Sequence, residues 1–437
     1  MKRATLALLL LAAAAAPRPA FAQESAHVFR GATLYPIAGP PIQNGTLVVR
    51  GGKIVALGAE GTVAVPAGAT VHDVRGKVIM PGLVDTHSHV GGGSGGDRAS
   101  ALHPSVRVLD GIDPNDDGIK RARAGGITTV NVMPGSGHLM SGQTAYLKLR
   151  PARTIYDLLL CRDVQREICG GMKMANGTNP RRDPPFPGTR AKSAAMVREK
   201  FVAAQDYREK VRRAAGDATK LPARDLEMEG LVEILDGKRQ VHFHTHRADD
   251  VLTAIRLGQE FGFRPVLHHV SEAWKVADEI KAAGLPSSII VLDSPGGKLE
   301  TAELSMANGA ALEKAGAQVA YHTDDGITDS RWFLRSAGLA VRAGMSREKA
   351  LEAMTLAGAR MLALDHRVGS LEPGKDADFL ILSGDPLSVY THIEQTWIEG
   401  IPVFDRSNPA DRIFATGGFG AFRGGSMHTS EDEWGDQ

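Results

Sequence analysis

The sequence predicts an α/β protein, a (β/α)8 TIM barrel with a smaller β domain built from both ends of the chain, and three observations predict it. From about residue 81 to 365, apolar strand-like runs alternate with helical stretches, the pattern of a parallel sheet covered by helices. The flanks, 23–80 and 366–415, are short-stranded and turn-rich, and the second reads as a return of the first. Polar residues able to do chemistry stand at the ends of several separate strands. No Gly-x-Gly-x-x-Gly follows the first strand, so an open doubly wound sheet is disfavoured.

In chain order, residues 1–22 stand apart. Lys2 and Arg3 precede the apolar run Ala4–Ala16, and Ala20-Phe21-Ala22 offers small residues for a signal peptidase. About thirteen apolar residues fall short of the roughly twenty a membrane-crossing helix needs, so a cleaved export signal and a periplasmic or secreted protein are expected. Cleavage removes Lys2, Arg3 and Arg18 and takes the net charge from +1 to −2. In the first flank, Gly45–Arg50 and Lys53–Gly58 joined by Gly51-Gly52 predict a hairpin. In the central region, strands are expected over Ile127–Met133, Val241–His246, Pro265–Val270, Ser288–Leu292 and Gln318–Thr323. Amphipathic helices are expected over Asp249–Phe261 and Ser346–Leu364, the second capped by Ser346. In the second flank, Gly369–Asp378 turns at Pro373-Gly374 into a strand at Phe379–Leu382, and Ile393–Phe404 predicts another hairpin. Residues 416–437 read as a flexible tail.

Composition narrows the function classes. With 437 residues, 43% hydrophobic and 23% charged, the chain can bury a large core, which excludes disordered, collagen-like and coiled-coil proteins. Fifty-one Lys and Arg balance fifty Asp and Glu without any dense basic run, so nucleic acid is not an expected partner. No later segment has the character of a membrane span. Fifteen histidines against two cysteines make nitrogen the expected metal donor. Cys161 and Cys169 either pair in an oxidising compartment or stay as buried thiols.

The strongest chemical signal is Pro81–His89, which ends in His87-Ser88-His89. Residues two apart on a strand point the same way, so these imidazoles can meet one ion. Val241–His246 repeats the spacing with His242, His244 and His246; at most one or two of these can ligate one ion, and the others bind substrate or sit in the core. His268-His269 and Tyr321–Asp325 end two further strands. Barrel active sites collect residues from the C-terminal ends of different strands, so together these clusters point to a metal site.

In this combination the β-rich opening, the Pro81–His89 motif, the later strand-end histidines, Thr323-Asp324 and the Gly369–Asp378 return resemble the metal-dependent amidohydrolase superfamily, closest to its imidazolonepropionase-like and prolidase-like branch. The resemblance spans nearly the whole chain after residue 22. It implies a barrel with a composite β-sandwich, and one or two ions of zinc or another divalent metal. By the same resemblance His87, His89, His244, His269 and Asp324 are the ligands, and Asp324 also accepts a proton from the attacking water. His244 is preferred within the 242/244/246 set, with His246 facing substrate. Binuclear relatives carry a carboxylated lysine on the fourth strand. Lys173, alone in the run Gly170–Ala175, is the candidate here, because a carbamate between two cations is satisfied where a buried ammonium is not.

The expected activity is hydrolysis of a carbon–nitrogen bond in an amide, cyclic amide or dipeptide, by metal-activated water with Asp324 as base. The rivals are a deaminase, for which no glutamate stands near the fifth strand, and a non-catalytic periplasmic metal- or ligand-binding protein. The glycine-rich Met133–His138 brings His138 toward the same face. Arg247 is a candidate for a substrate carboxylate, against a surface ion pair. Asn179–Pro187 is a candidate lid, against a plain crossing loop. A small molecule or short peptide is the expected partner, and homo-oligomer formation is left open.

Overall fold

The structure, a computed structural model, describes residues 26–291, 298–418 and 421. The expected export signal and positions 419–420 and 422–437 of the expected tail lie outside these residues. Five strands open the described chain: β1 (His27–Leu34), β2 (Ile42–Arg50), β3 (Lys53–Ala59), β4 (Thr70–Asp73) and β5 (Val78–Pro81). Nine follow: β6 (Leu83–Ser88), β7 (Ile127–Val132), β8 (Met140–Gln143), β9 (Ala145–Lys148), β10 (Met172–Ala175), β11 (Val241–Thr245), β12 (Pro265–His269), β13 (Ser287–Ile289) and β14 (Val319–Tyr321). The last three are β15 (Phe379–Leu382), β16 (Ile393–Ile398) and β17 (Ile401–Asp405).

The two ends of the chain meet in one eight-stranded sheet, ordered β17-β16-β15-β5-β1-β2-β3 with β4 beside β1. Its β2–β3 hairpin turns through Gly51 and Gly52, both at positive φ (57° and 73°), as a two-residue turn matched to strand twist requires. The chain ends join where β15 runs antiparallel to β5, pairing Phe379 with Pro81 and Leu382 with Val78. Phe29, Leu47, Ile79, Phe379 and Trp397 fill the core of this sheet. The interface with the central region holds a buried ionic cluster: Lys148 Nζ lies 2.7 Å from Asp376 and 2.5 Å from Asp378, and Lys53 and Arg367 also reach Asp376.

In the central region, β10 to β14 pair in parallel in sequence order, and β6 pairs in parallel with β7. Between these groups the segment Met140–Lys148 departs from the uniformly parallel arrangement expected. Its first half, β8, is antiparallel to β10 and its second half, β9, is antiparallel to β7, so one extended segment joins the two groups. At the opposite edge the Asp324 amide donates to the His87 carbonyl (2.9 Å), linking the chain after β14 to β6.

Alternation sets what each wall faces. Val241 and Phe243 belong to the apolar core, while His242 and His244 take the intervening positions; Met172 and Met174 flank Lys173 in the same way. The helix after β11 runs over Ala248–Phe261 and stops at Gly262 with φ 77°, close to the expected span. The single helix expected over Ser346–Leu364 is corrected. It forms two helices, Arg347–Ala353 and Leu356–Met361, broken at Thr355 (φ −138°, ψ −93°), whose hydroxyl bonds back to the Leu351 carbonyl. The Ser346 cap is present, accepting from the Lys349 amide. A further helix, Pro409–Thr416, lies where only strand and tail were expected. Cys161 and Cys169 form a disulfide, the first of the two alternatives.

Candidate metal centre

The C-terminal ends of β6, β11, β12 and β14, with Lys173 from β10, bring imidazole, carboxylate and amine groups together. On β6 the alternation places Asp85, His87 and His89 on one face. On β12 the neighbours His268 and His269 would face opposite ways in a regular strand. His269 and Val270 instead take positive φ (68° and 37°), and both imidazoles come within about 5 Å of the His87 ring (5.1 and 5.0 Å between centroids). Asp324 also sits at positive φ (48°). Non-glycine residues are uncommon there, and strain of this kind clusters at functional sites.

Three groups of donor atoms result, each within 4.8 Å of one another: His87/His89/Asp324, His244/His246/His269 and His87/His268/His322. Asp324 Oδ1 lies 2.8 Å from His89 Nε2 and 3.1 Å from His87 Nε2, and Oδ2 faces His269 Nε2 at 3.9 Å, so Asp324 stands between the first two groups. Lys173 Nζ lies 2.9 Å from His87 Nε2 and 3.1 Å from Met133 Sδ. Every ligand inferred from the sequence therefore enters one cluster: His87, His89, Lys173, His269 and Asp324 by direct approach, and His244 by its ring 4.3 Å from that of His269. His246 is beside His244 and His269 and bonds Ser271 through Nδ1 (2.7 Å), so position 246, expected to face substrate, joins a donor group.

Burial controls the protonation states. It pushes His87, His244 and His268 well below the usual imidazole range, with the Lys173 charge adding to it, and it takes His242 down to about 3. Neutral imidazoles keep the lone pairs a metal needs. Burial alone would raise the Asp324 carboxyl, but His269 and His89 outweigh it and hold the group well below its ordinary value. Among the described residues, His87 Nδ1, His244 Nδ1 and His268 Nδ1 are buried with no hydrogen-bond partner. A carboxylate beside several imidazoles, with His87, His244 and His268 kept neutral by burial, fits a divalent cation of the zinc type.

Several participants carried no assignment from the sequence. Asp85, fully buried, accepts from the Thr323 amide (3.0 Å) and hydroxyl (2.5 Å), stapling β6 to the chain that presents Asp324, and burial raises its carboxyl to about 7. Its spacing from His87 could have revealed it. Beneath the cluster, Tyr146 bonds His242 (2.8 Å), His242 bonds His268 (2.9 Å) and Ser288 bonds His322 (2.8 Å). Glu300, buried beside His246, gave no signal at all because nothing local to it is periodic.

The remaining candidates separate. From the 133–138 loop, Met133 touches Lys173, its carbonyl meets His89 Nδ1 (2.8 Å), and Ser136 bonds Asn179 (2.6 Å). His138 stands apart from the donor cluster, against the Asp97 carbonyl (2.9 Å) and the Phe186 ring. Asn179 also approaches His244 Nε2 (3.4 Å), so the 179–187 segment touches the site at its first residue. Arg247 makes a two-bond pair with Asp249 (3.0 Å each) at the surface, the alternative to a substrate contact.

This fold and donor set define a metallohydrolase-type centre, and the comparisons with known proteins agree. The chain belongs to the amidohydrolase family, whose model matches residues 78–404. Amidohydrolase tasK of Hapsidospora irregularis is 27% identical over 377 residues, which is 78% of this chain but only 38% of that protein. An imidazolonepropionase of Deinococcus radiodurans is 26% identical over 390 residues, covering 78% of this chain and 86% of its own. The crystal structure of an amidohydrolase from Thermotoga maritima superposes with a TM-score of 0.80 at 32% identity, covering 87% of this chain and all of that one. The superfamily and branch inferred from the motifs are thereby confirmed. Family relatives are hydrolases acting on carbon–nitrogen bonds.

Proposed function

We propose that this protein is an exported metal-dependent hydrolase that cleaves a carbon–nitrogen bond in a small amide, cyclic amide or dipeptide, with Asp324 as general base. The observation that carries it is the position of Asp324, within 3.1 Å of both β6 imidazoles and facing His269 from its other oxygen. His87, His89, His244, His269 and Asp324 are the residues that would hold the metal, one ion or two. When bound, a divalent ion supplies Lewis acidity, polarising the scissile carbonyl and acidifying a water. Asp324, kept ionised, takes that water's proton and returns it to the leaving nitrogen. Asp85, through Thr323, holds the backbone that presents Asp324. Lys173 in carboxylated form would add a negative charge among these imidazoles; its burial in β10 with Nζ 2.9 Å from His87 Nε2 supports that role.

On this reading the β6–β14 strands, with Met140–Lys148 as the third, close into the (β/α)8 barrel, supported by the Asp324–His87 backbone bond across the last joint. Export rests on the 1–22 segment and is supported by the Cys161–Cys169 disulfide, a bond that persists in oxidising compartments. No described helix is long and apolar enough to cross a membrane.

The test is metal analysis of the purified protein together with a hydrolysis screen over amides, lactams and dipeptides. Wild type should bind metal and turn over at least one class. Asp324→Asn should lose about 10²–10⁴-fold in kcat. His87→Ala should lose metal. Wild type that holds metal but turns over no amide, ester or lactam would sink the enzymatic reading.

A further inference from the structure

Glu300 lies in the turn Leu299–Thr301, after β13, and is 3% exposed. Its two oxygens differ. Oε2 accepts from the Thr178 amide at 2.8 Å and faces Arg190 at 3.8 Å. Room for it comes from Gly177, at φ 82°, where a Cβ would stand 2.6 Å from that oxygen. Oε1 makes no hydrogen bond among the described residues and faces His246 Nε2 at 4.0 Å, beyond hydrogen-bond reach. The His246 ring is 4.6 Å from that of His244 and 4.8 Å from that of His269, so Oε1 stands at the edge of the donor cluster. Arg190 makes no hydrogen bond to Oε1, and its Nε bonds both oxygens of Asp250 (3.0 and 2.8 Å).

A buried carboxylate oxygen without a donor is costly unless something supplies one. The charge of Glu300 itself indicates what that is: a charged N–H donor gains more from an anionic acceptor than a neutral amide N–H does. The positive charge that Lys298 brings to bear on His244 opposes a cationic group there, and the carboxylate offsets that cost. We propose that Glu300 Oε1 receives a protonated amine of the substrate, so that the site takes amides carrying a free ammonium group, such as short peptides with an unblocked amino terminus. The proposal rests on the hydrolase reading and specifies its substrate class. Glu300 is then a substrate-positioning residue, two imidazole rings removed from Asp324.

The test uses the metal-loaded full-length protein, with alanyl-alanine, glycyl-proline and alanyl-proline as probes alongside their N-acetylated forms. Binding is followed by calorimetry on wild type, Glu300→Gln and Glu300→Asp, with thermal melting and metal content measured on each. Wild type should bind an unblocked dipeptide about 10- to 100-fold more tightly than its acetylated form. Glu300→Gln should lose that preference with unchanged metal content, raising KM rather than lowering kcat on any dipeptide that is cleaved. Glu300→Asp, which keeps the charge, should retain part of the preference and guards against a fold defect in the first variant. Equal binding of both forms by wild type, or no binding of either, overturns the proposal. So does metal loss in a folded Glu300→Gln, which would make Glu300 a metal ligand. A preference for the unblocked form without any hydrolysis keeps this proposal and defeats the hydrolytic one.

Discussion

Among the described residues two lysines are fully buried, Lys148 at the end of β9 and Lys173 in β10, and their surroundings differ. Lys148 meets Asp376 and Asp378 directly. Burial would raise the Asp376 carboxyl, but Lys148, Lys53 and Arg367 together bring it down to about 2. That ammonium is satisfied by anions and ties the terminal sheet to the central region. Lys173 lies among the metal-donor groups instead: its Nζ is 2.9 Å from His87 Nε2 and 3.1 Å from Met133 Sδ, and its charge acts on Asp324. One lysine ties two parts of the fold together; the other stands in the donor cluster.

Replacing each lysine separates the two roles. Lys173→Ala should leave stability nearly intact while metal content and turnover fall by more than about 100-fold, beyond what loss of an outer-sphere partner typically costs. Metal per chain, hydrolysis rate and denaturant midpoint read this together, and full metal stoichiometry in the variant would remove Lys173 from the ligand set. Lys148→Met should do the reverse. It leaves buried Asp378 without its cation while Asp376 keeps Lys53 and Arg367, so unfolding free energy should drop by about 3 kcal/mol, with turnover per folded molecule little changed.

The ionic cluster also has a pH signature. The folded-state value of Asp376 lies below its ordinary 3.8, so its stabilisation is present above about pH 4 and is lost as pH falls toward 2. Asp378, raised by burial against the pull of Lys148, acts in the opposite sense and reduces the net effect. Chemical denaturation at pH 4 and pH 2 should show a smaller loss in Asp376→Asn than in wild type, by at most ~2 kcal/mol. Equal losses would show that the depression of Asp376 is not linked to folding.

The comparison also explains what the sequence could tell. Lys173 was visible because it is the one charged residue in an apolar run, and the period-two spacing of His87/His89 and His242/His244/His246 gave the strand-end cluster its members. Lys148 was not visible as buried, because its partners lie more than 200 residues away, at 376 and 378, in a turn read only as the start of a strand. Glu300 and the antiparallel Met140–Lys148 segment escaped for the same reason: their roles come from tertiary neighbours. The broken helix at Thr355 differs in kind. Its apolar spacing continues across the break, and only the hydroxyl's bond to the Leu351 carbonyl and the backbone turn at that residue divide it.

The smallest expected effect is at Arg247, and it sharpens the contrast between charges that are buried and those that are not. Its pair with Asp249 has good two-bond geometry, but the side chains are 45% and 57% exposed. Water screens such a pair, so Arg247→Ala should change stability by no more than about 1 kcal/mol. Because the guanidinium is held by Asp249 rather than turned to the donor cluster, KM should also stay within about twofold of wild type on any dipeptide cleaved. Glu300→Gln, altering a charge only 3% exposed and beside His246, should shift KM strongly in the same assay. If Arg247→Ala proved the more damaging of the two, substrate would be entering from the Arg247 side of β11, and its carboxylate, not its amine, would be what the protein recognises.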